Sequence, residues 1–551
     1  MRQSNWRSPL DFAGDGLLGA AAITAAAEGD HPFLGSKAPQ RLGAPFRAEW
    51  NSWPSTEELL VCVGGWFARL LGTAPAVAIL LALAHVLAAA AFFFAARQFG
   101  ISRLWAGVFA LLFGLSRYIF ARALGHITIA YCWHVPLCWL VIHYAWSRGG
   151  LLKNRRRMVI ALIVSVATAV QSPYFTFVYV QFLLVAALIR GLRLKSFAAA
   201  TPALGACAVV VLAFALMHVD TWRHRRAEAD AGAAFVRRYT DMELYAMKPI
   251  DLVFPVNWPI PFLQQRLAEY QRGRVLPGEH PLSYMGLIGA AGALLLVAVS
   301  LKELAVARRL SPVLLKYTVP CGWLVVLSGV AGPLALAALL TNSYVLRSSN
   351  RFSIFLVCAL YLFLAECARR VLRNKPKPFT MLLACAIALV GFADLPARRP
   401  HAATVAERAH WKDVQKFVSE VEKVTGPNAM IFVLPVLEFP EAPPRLNEGQ
   451  YTPLSLYVAR SSLRFSYGNM KGDPRDRWQA AVEALPAAQL AAQLQEYGFS
   501  GVVLFRAAYA DHGASIIEGF AAAGYPVLKR FNMVFISLPH PNDPPSVPPH
   551  G

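Results

Sequence analysis

Thr73-Ala74-Pro75-Ala76-Val77-Ala78-Ile79-Leu80-Leu81-Ala82-Leu83-Ala84-His85-Val86-Leu87-Ala88-Ala89-Ala90-Ala91-Phe92-Phe93-Phe94-Ala95-Ala96-Arg97 decides the fold. It carries no carboxylate, and no Lys or Arg before Arg97. At about 1.5 Å per helical residue it covers the ~30 Å hydrocarbon core of a bilayer. Similar apolar runs follow at 103–120, 127–147, 158–172, 173–190, 197–218, 284–302, 317–337, 352–369 and 379–395. The expectation is therefore a polytopic α-helical membrane protein of about ten spans, the bundle covering 73–395. Composition agrees: of 551 residues 56% are hydrophobic and 15% charged, which argues against a disordered chain or an ordinary soluble enzyme. Gln171-Ser172-Pro173-Tyr174 leaves almost no loop between two runs and predicts a tight helical hairpin.

Charge orients the bundle. The formal net charge is +21, but the basic residues sit in short tracts between apolar runs, so nucleic acid is not the expected partner. One side collects Arg97 and Arg103, Arg148 with Lys153 to Arg157, Arg190 to Lys195, Arg308, Arg309 and Lys316, and Arg369 to Lys377. Those connections are expected in the cytoplasm. Residues 1–72, the loop 219–283 and everything from 396 onward then fall outside the cytoplasm. An outer N-terminal segment needs either an apolar span upstream of this start or translocation with the first helical hairpin. The eight cysteines show no CxxC or paired spacing, so neither a zinc site nor a disulfide framework is indicated.

Outward from the first span, residues 57–71 read as an amphipathic helix for the membrane surface. Before it, Pro9-Leu10-Asp11-Phe12-Ala13-Gly14-Asp15-Gly16 carries two carboxylates in a polar, Gly/Pro-punctuated stretch. Asp11 and Asp15 suit proton acceptance from a hydroxyl at the lip of a lipid-facing cavity. Equally, Asp15 suits the cap of a helix opened by Leu17. In the loop 219–283, Arg223-His224-Arg225-Arg226 reads as a solvated face or as a phosphate-binding surface. The tail, 396–551, reads as a separate small α/β domain. Its strands are 429–435, 501–505 and 533–538, its helices 478–496 and 515–523, and its Pro-rich end 539–551 is expected to be disordered.

Three groups carry candidate chemistry. Arg122 and His126 stand four apart, hence on one helical face, at the outer end of a span. Ionisable groups at membrane depth mark a cavity or a pathway, and an interfacial arginine also snorkels to head groups. Arg347 and Arg351, also four apart, precede another span. They suit a structural salt bridge or a lipid phosphate, and with no acid near them in sequence they are expected as a guanidinium pair for the phosphate. Glu279 is a second carboxylate for the same face, or a helix-start acid. His134 and His143 lie in aromatic company without a ligand-spaced partner, and no metal site is expected. Gly286-Leu287-Ile288-Gly289-Ala290-Ala291-Gly292 lies inside a span, where small residues serve helix packing rather than nucleotide binding.

At these residues the chain resembles bacterial multi-spanning glycosyltransferases of the GT-C type, and more narrowly their YfhO-like branch. The likeness rests on Pro9-Leu10 with Gly14-Asp15, Leu42-Gly43-Ala44-Pro45, the Arg122 to His126 and Arg347 to Phe352 elements, and Leu463-Arg464-Phe465-Ser466-Tyr467-Gly468-Asn469-Met470-Lys471-Gly472. It implies a polyprenyl-phosphate sugar donor used outside the cytoplasm, a glycan or lipid acceptor in the cell envelope, and Asp15 as base on the acceptor hydroxyl. It implies a protein of the bacterial inner (plasma) membrane with a periplasmic tail. From the residues themselves, Arg347 and Arg351, with Arg122 and His126, are expected to hold the donor phosphate, so no metal and no cofactor is expected. A transporter or flippase of lipid-linked sugars, or a non-catalytic polysaccharide assembly protein, are the alternative readings. The chain departs from the family pattern in lacking the first span before Asp15.

Overall fold

The computed structural model describes residues 12–52, 58–122, 124–147, 149–227, 237–255, 260–279, 282–395, 405–443 and 445–538. The chain divides into two compact units. One takes in the described residues of Met1–Ile79, His218–Val236 and Ala402–Gly551; the other takes in those of Leu80–Met217 and Arg237–His401.

The second unit is helical. Among the described residues, five helices are long and apolar enough to cross a membrane: Thr73–Gln98, Arg103–Arg122, Pro173–Leu194, Gly286–Ala307 and Ser349–Val371. Two further pairs are bent, Thr201–Met217 with Val219–Arg226 by 51° and Pro312–Ser328 with Pro333–Thr341 by 49°. These are seven of the about ten positions at which a span is expected. A helix lies at every expected position, but His134–Trp146 has 13 residues, Arg155–Ala169 has 15 and Lys377–Ala393 has 17. A 13-residue helix rises only about 20 Å, short of a full hydrocarbon core. The hairpin at Pro173 is present: Arg155–Ala169 gives way to Pro173–Leu194, with proline in its first turn where no N–H is missed. Thr176 Oγ1 donates across that turn to the Thr168 carbonyl at 2.9 Å.

The other unit holds a five-stranded sheet: β1 Met430–Leu434, β2 Arg464–Phe465, β3 Phe499–Phe505, β4 Val527–Arg530 and β5 Met533–Ser537, in the order β2-β1-β3-β5-β4. β2 and β3 run parallel to β1, whereas β5 pairs antiparallel with β3 and with β4. Because side chains alternate across a strand, the sheet has two apolar faces. Ile431, Val433, Val503 and Phe535 point to one; Phe432, Leu434, Val502 and Val534 point to the other. Helix Val405–Thr425 covers the first face, and helices Ala487–Glu496 and Ala514–Ala522 cover the second. The helix expected over 478–496 is two, Pro474–Glu483 and Ala487–Glu496, since Pro486 cannot donate into a continuous ladder.

The N-terminal segment is not a free loop before the bundle. Helix Asp15–Glu28 inserts Leu17, Ala20, Ala21 and Ala25 into the first face, beside Val414 and Phe417. Two motifs distant in sequence meet there. Phe465 N–H donates to the Arg41 carbonyl at 2.8 Å, Gly43 N–H to Tyr467 at 3.0 Å, and Trp50 Nε1 to Gly468 at 3.1 Å. Gly43 is obligatory: its φ is +79°, and a Cβ would stand 2.5 Å from both Ala48 N and Asn469 Oδ1. The division at 72 and 396 therefore separates pieces that share one core. Helix Glu58–Leu71 forms as expected, with Trp66 60% and Leu70 63% exposed.

Candidate functional site

The helical unit gathers three of the expected site residues, Arg122, His126 and Arg351, around a fourth, the Glu279 carboxylate. Helix Arg117–Arg122 ends at Arg122, and a turn carries the chain to His126, whose N–H still bonds the Arg122 carbonyl at 2.9 Å. A short turn Ser349–Phe352 opens the helix Ser353–Val371 and presents Asn350 and Arg351. Glu279 lies between them in the connection ahead of helix Gly286–Ala307.

Arg122 Nη1 donates to Glu279 Oε2 at 2.6 Å. Arg351 Nη2 donates to Oε1 at 2.5 Å, and its Nε to the same oxygen at 3.2 Å. Asn350 Nδ2 donates to Oε2 at 3.1 Å. His126 Nε2 stands 3.4 Å from Arg351 Nη2. Arg122 lies over the Tyr118 ring and Arg351 over that of Tyr174, while Tyr118 OH donates to the Arg351 carbonyl at 2.8 Å. The Arg122 side chain is fully buried, and Glu279 and Arg351 are 12% and 14% exposed.

Electrostatics follow from that packing. Burial alone would raise the Glu279 carboxyl, but the charges of Arg122 and Arg351 overcome it and hold it far below the ordinary carboxylate range. A carboxylate so stabilised is a poor proton acceptor, and Glu279, expected as a second carboxylate on this face, stands as the counter-ion of two guanidinium groups. His126 is lowered to about 3, first by burial and then by Arg351 and Arg122, so it is neutral at physiological pH. Two guanidinium charges face one carboxylate, leaving the cluster one positive charge in excess. Arg122 Nε and Nη2 are buried without a hydrogen-bond partner among the described residues. Leaving charged donors buried and unpaired costs free energy.

Arg347 is not in this group. It pairs with Asp241 at 3.6 Å and lies over the Tyr245 ring. The expected Arg347–Arg351 pair therefore divides, each arginine finding its own acid from a part of the chain remote in sequence. Arg225 of the basic run donates to the Ser52 carbonyl at 3.3 Å and His224 sits 3.7 Å from Glu49, a packed surface rather than an open phosphate cradle. Asp15 is exposed in the first turn of its helix, with Gly14 at the cap, and belongs to the unit that holds the sheet. Asp11 lies outside the described residues. Asn350, Tyr118 and Tyr174 were not anticipated as participants, although Asn350 stands one residue before Arg351 in the quoted motif. Among the described residues no group of three or more His, Cys, Asp or Glu side chains is placed to hold a metal.

The fold defines a multi-pass α-helical membrane protein with a small α/β unit. No family model matches the chain, and no curated protein matches it. The solved structures similar to it include three glycosyl-transfer proteins. ArnT from Cupriavidus metallidurans bound to undecaprenyl phosphate has 12% identity and a TM-score of 0.48, over 98% of this chain and 96% of that one. The Archaeoglobus fulgidus oligosaccharyltransferase in complex with zinc and sulfate has 13% identity and a TM-score of 0.43, over 97% and 70%. The arabinofuranosyltransferase AftD from Mycobacteria has 16% identity and a TM-score of 0.43, over 95% and 39%. At such identities and scores the chemistry has to rest on this chain's own residues.

Proposed function

We propose that this protein is a GT-C-type glycosyltransferase that moves a sugar from a polyprenyl-phosphate donor to a cell-envelope acceptor at the non-cytoplasmic face. The observation that carries the reading is the Arg122–Glu279–Arg351 cluster, with its one excess positive charge and its unpaired buried guanidinium donors. Such a group suits a phosphate at the membrane boundary. In the reaction an acceptor hydroxyl attacks the anomeric carbon as the bond from that carbon to the phosphate oxygen breaks. Negative charge gathers on the departing polyprenyl phosphate, and Arg351 and Arg122 offset it. Glu279 and Asn350 hold the two arginines in place before the donor arrives. Asp15 takes the acceptor proton, an assignment that rests on the sequence resemblance.

Purified protein, supplied with radiolabelled polyprenyl-phosphate sugar and an envelope acceptor fraction, is expected to release polyprenyl phosphate and label the acceptor. Asp15→Asn is expected to abolish transfer while the protein stays folded in the membrane, and Arg351→Gln to lower it by at least ~100-fold. Retained transfer in Asp15→Asn removes the base; absence of transfer by wild type with every donor tried removes the enzyme. A flippase reading draws on the buried Lys316–Glu366 pair, 2.7 Å apart inside the helices. It predicts donor movement between leaflets without cleavage.

A further inference from the structure

Two of the quoted motifs, Leu42 to Pro45 and Leu463 to Gly472, take no part in that reaction. They meet in the unit with the sheet, where the turn Pro45-Phe46-Arg47 comes to the surface. Phe46 is 41% exposed and stands 6.4 Å, ring centre to ring centre, from Tyr497, which is 39% exposed. Trp478 supports both, 5.7 Å from Phe46 and 4.8 Å from Tyr497. Behind it lie the fully buried rings of Phe432 and Phe499, each 6.4 Å away. The three outer rings meet edge to face, a favourable arrangement that fixes the exposed pair to the core. Aromatic rings gain free energy by burial, so two held side by side at the surface mark a contact face.

Three arginines close on the same turn. Arg464 Nη2 donates to the Pro45 and Phe46 carbonyls at 3.1 and 3.0 Å, and Arg475 Nη1 to the Arg47 carbonyl at 3.1 Å. Arg47 itself is exposed, its Nε on the Ala38 carbonyl at 2.6 Å. Asp30 lies 3.7 Å from Arg47 and Asp473 3.8 Å from Arg475, both with nearly buried side chains. Among the described residues Arg464 has no carboxylate at ion-pair distance, and Glu496 is exposed beside Tyr497. Guanidinium groups thus dominate the exposed charge of this face, and their forks pair bidentately with carboxylates. At 150–250 Å² per aromatic ring, the exposed parts of Phe46 and Tyr497 offer roughly 120–200 Å². That is far below the ~800 Å² per partner of a protein interface, but enough for a sugar ring or two. We propose that Phe46 and Tyr497, backed by Trp478, bind a glycan chain that bears carboxylate groups. The sugar rings lie on the aromatic pair, and Arg47, Arg464 and Arg475 hold the carboxylates. This occupant rests on the reading of the protein as a cell-envelope glycosyltransferase, for which the face is an acceptor-binding surface.

The full chain in nanodiscs tests this by fluorescence anisotropy with a labelled oligogalacturonate and a labelled dextran of equal length. Wild type is expected to bind the oligogalacturonate about tenfold more tightly than the dextran, as one charge-assisted hydrogen bond would give. Phe46→Ala and Tyr497→Ala should each weaken both glycans by about three- to tenfold. Arg464→Gln should weaken the oligogalacturonate alone, and added salt should do the same. Should an aromatic variant misfold, Arg464→Gln with its dextran control decides. In Tyr497→Cys, a water-soluble maleimide should label more than in wild type, and oligogalacturonate should suppress the gain. Equal affinity for the two glycans, undiminished binding in both alanine variants, or no binding overturns the proposal. So does a shielded thiol in Tyr497→Cys before glycan is added, because lipid or protein then covers the face. Binding is read without donor lipid, so glycan binding with no donor cleavage removes the transferase reading alone.

Discussion

Replacing Glu279 by Gln keeps shape and removes charge. Glu279 receives charge-assisted bonds at 2.6 Å from Arg122 and 2.5 Å from Arg351, and the Arg122 side chain is fully buried. Stranding a buried charge by deleting its partner costs about 3–5 kcal/mol. Against a total stability of roughly 5–15 kcal/mol that is a large share. The apparent melting midpoint in nanodiscs should fall by about 5–15 °C. The wild-type contribution has a definite pH sign. The folded carboxyl lies below its ordinary range, so the stabilisation is complete above the usual Glu value near 4–5 and erodes as pH falls below it. Glu279→Gln should lack that acid-side loss. The variant also leaves both guanidinium charges unneutralised, so added polyprenyl phosphate should raise its midpoint more than it raises that of wild type. A midpoint within about 1 °C of wild type, or weaker rescue by the phosphate lipid, would refute the assignment of Glu279 as counter-ion.

Two more predictions concern the unit with the sheet, and one the cluster. Gly43→Ala forces a Cβ against Ala48 N and Asn469 Oδ1 at a φ of +79°, and should destabilise that unit by about 2–4 kcal/mol, read as earlier proteolysis of the tail under mild heating. His31 is buried, and burial followed by the Lys37 charge lowers it to about 4. Its unfolded form binds protons more readily, so it contributes stability that is full above about 6.5 and declines as pH falls toward 4, by about 3 kcal/mol. The wild-type minus His31→Asn difference should trace that slope, and a flat difference would contradict it. Asn350→Ala removes the 3.1 Å bond to Glu279 and should cost about 1.5–3 kcal/mol in thermal denaturation, together with a loss of donor affinity.

Much of the fold is legible without coordinates because its signals are local. A membrane helix is an uninterrupted apolar run, so all ten expected positions hold helices, and Pro173 marks its hairpin. The strands at Met430, Gly501 and Met533 show as β-rich apolar runs, whereas β2 and β4 are two and four residues long and carry almost no pattern. Whether a helix reaches across a bilayer is not equally local. His134–Trp146 has only 13 residues, within an apolar run of 127–147 that gave no sign of the break.

The site divides the same way. That Arg122, His126 and Arg351 carry chemistry follows from residue type, since charge at the edge of an apolar helix needs a reason. That Glu279 neutralises Arg122 and Arg351 is invisible in sequence, because 157 and 72 residues separate it from them. The same holds for Arg347, taken instead by Asp241, and for Leu42-Gly43-Ala44, which pairs with a motif more than four hundred residues later. Sequence by itself determined which side chains are out of place in their local setting. Tertiary structure alone decided which of them meet, because ion pairing and sheet pairing depend on distance through space, and the chain's order places no limit on that.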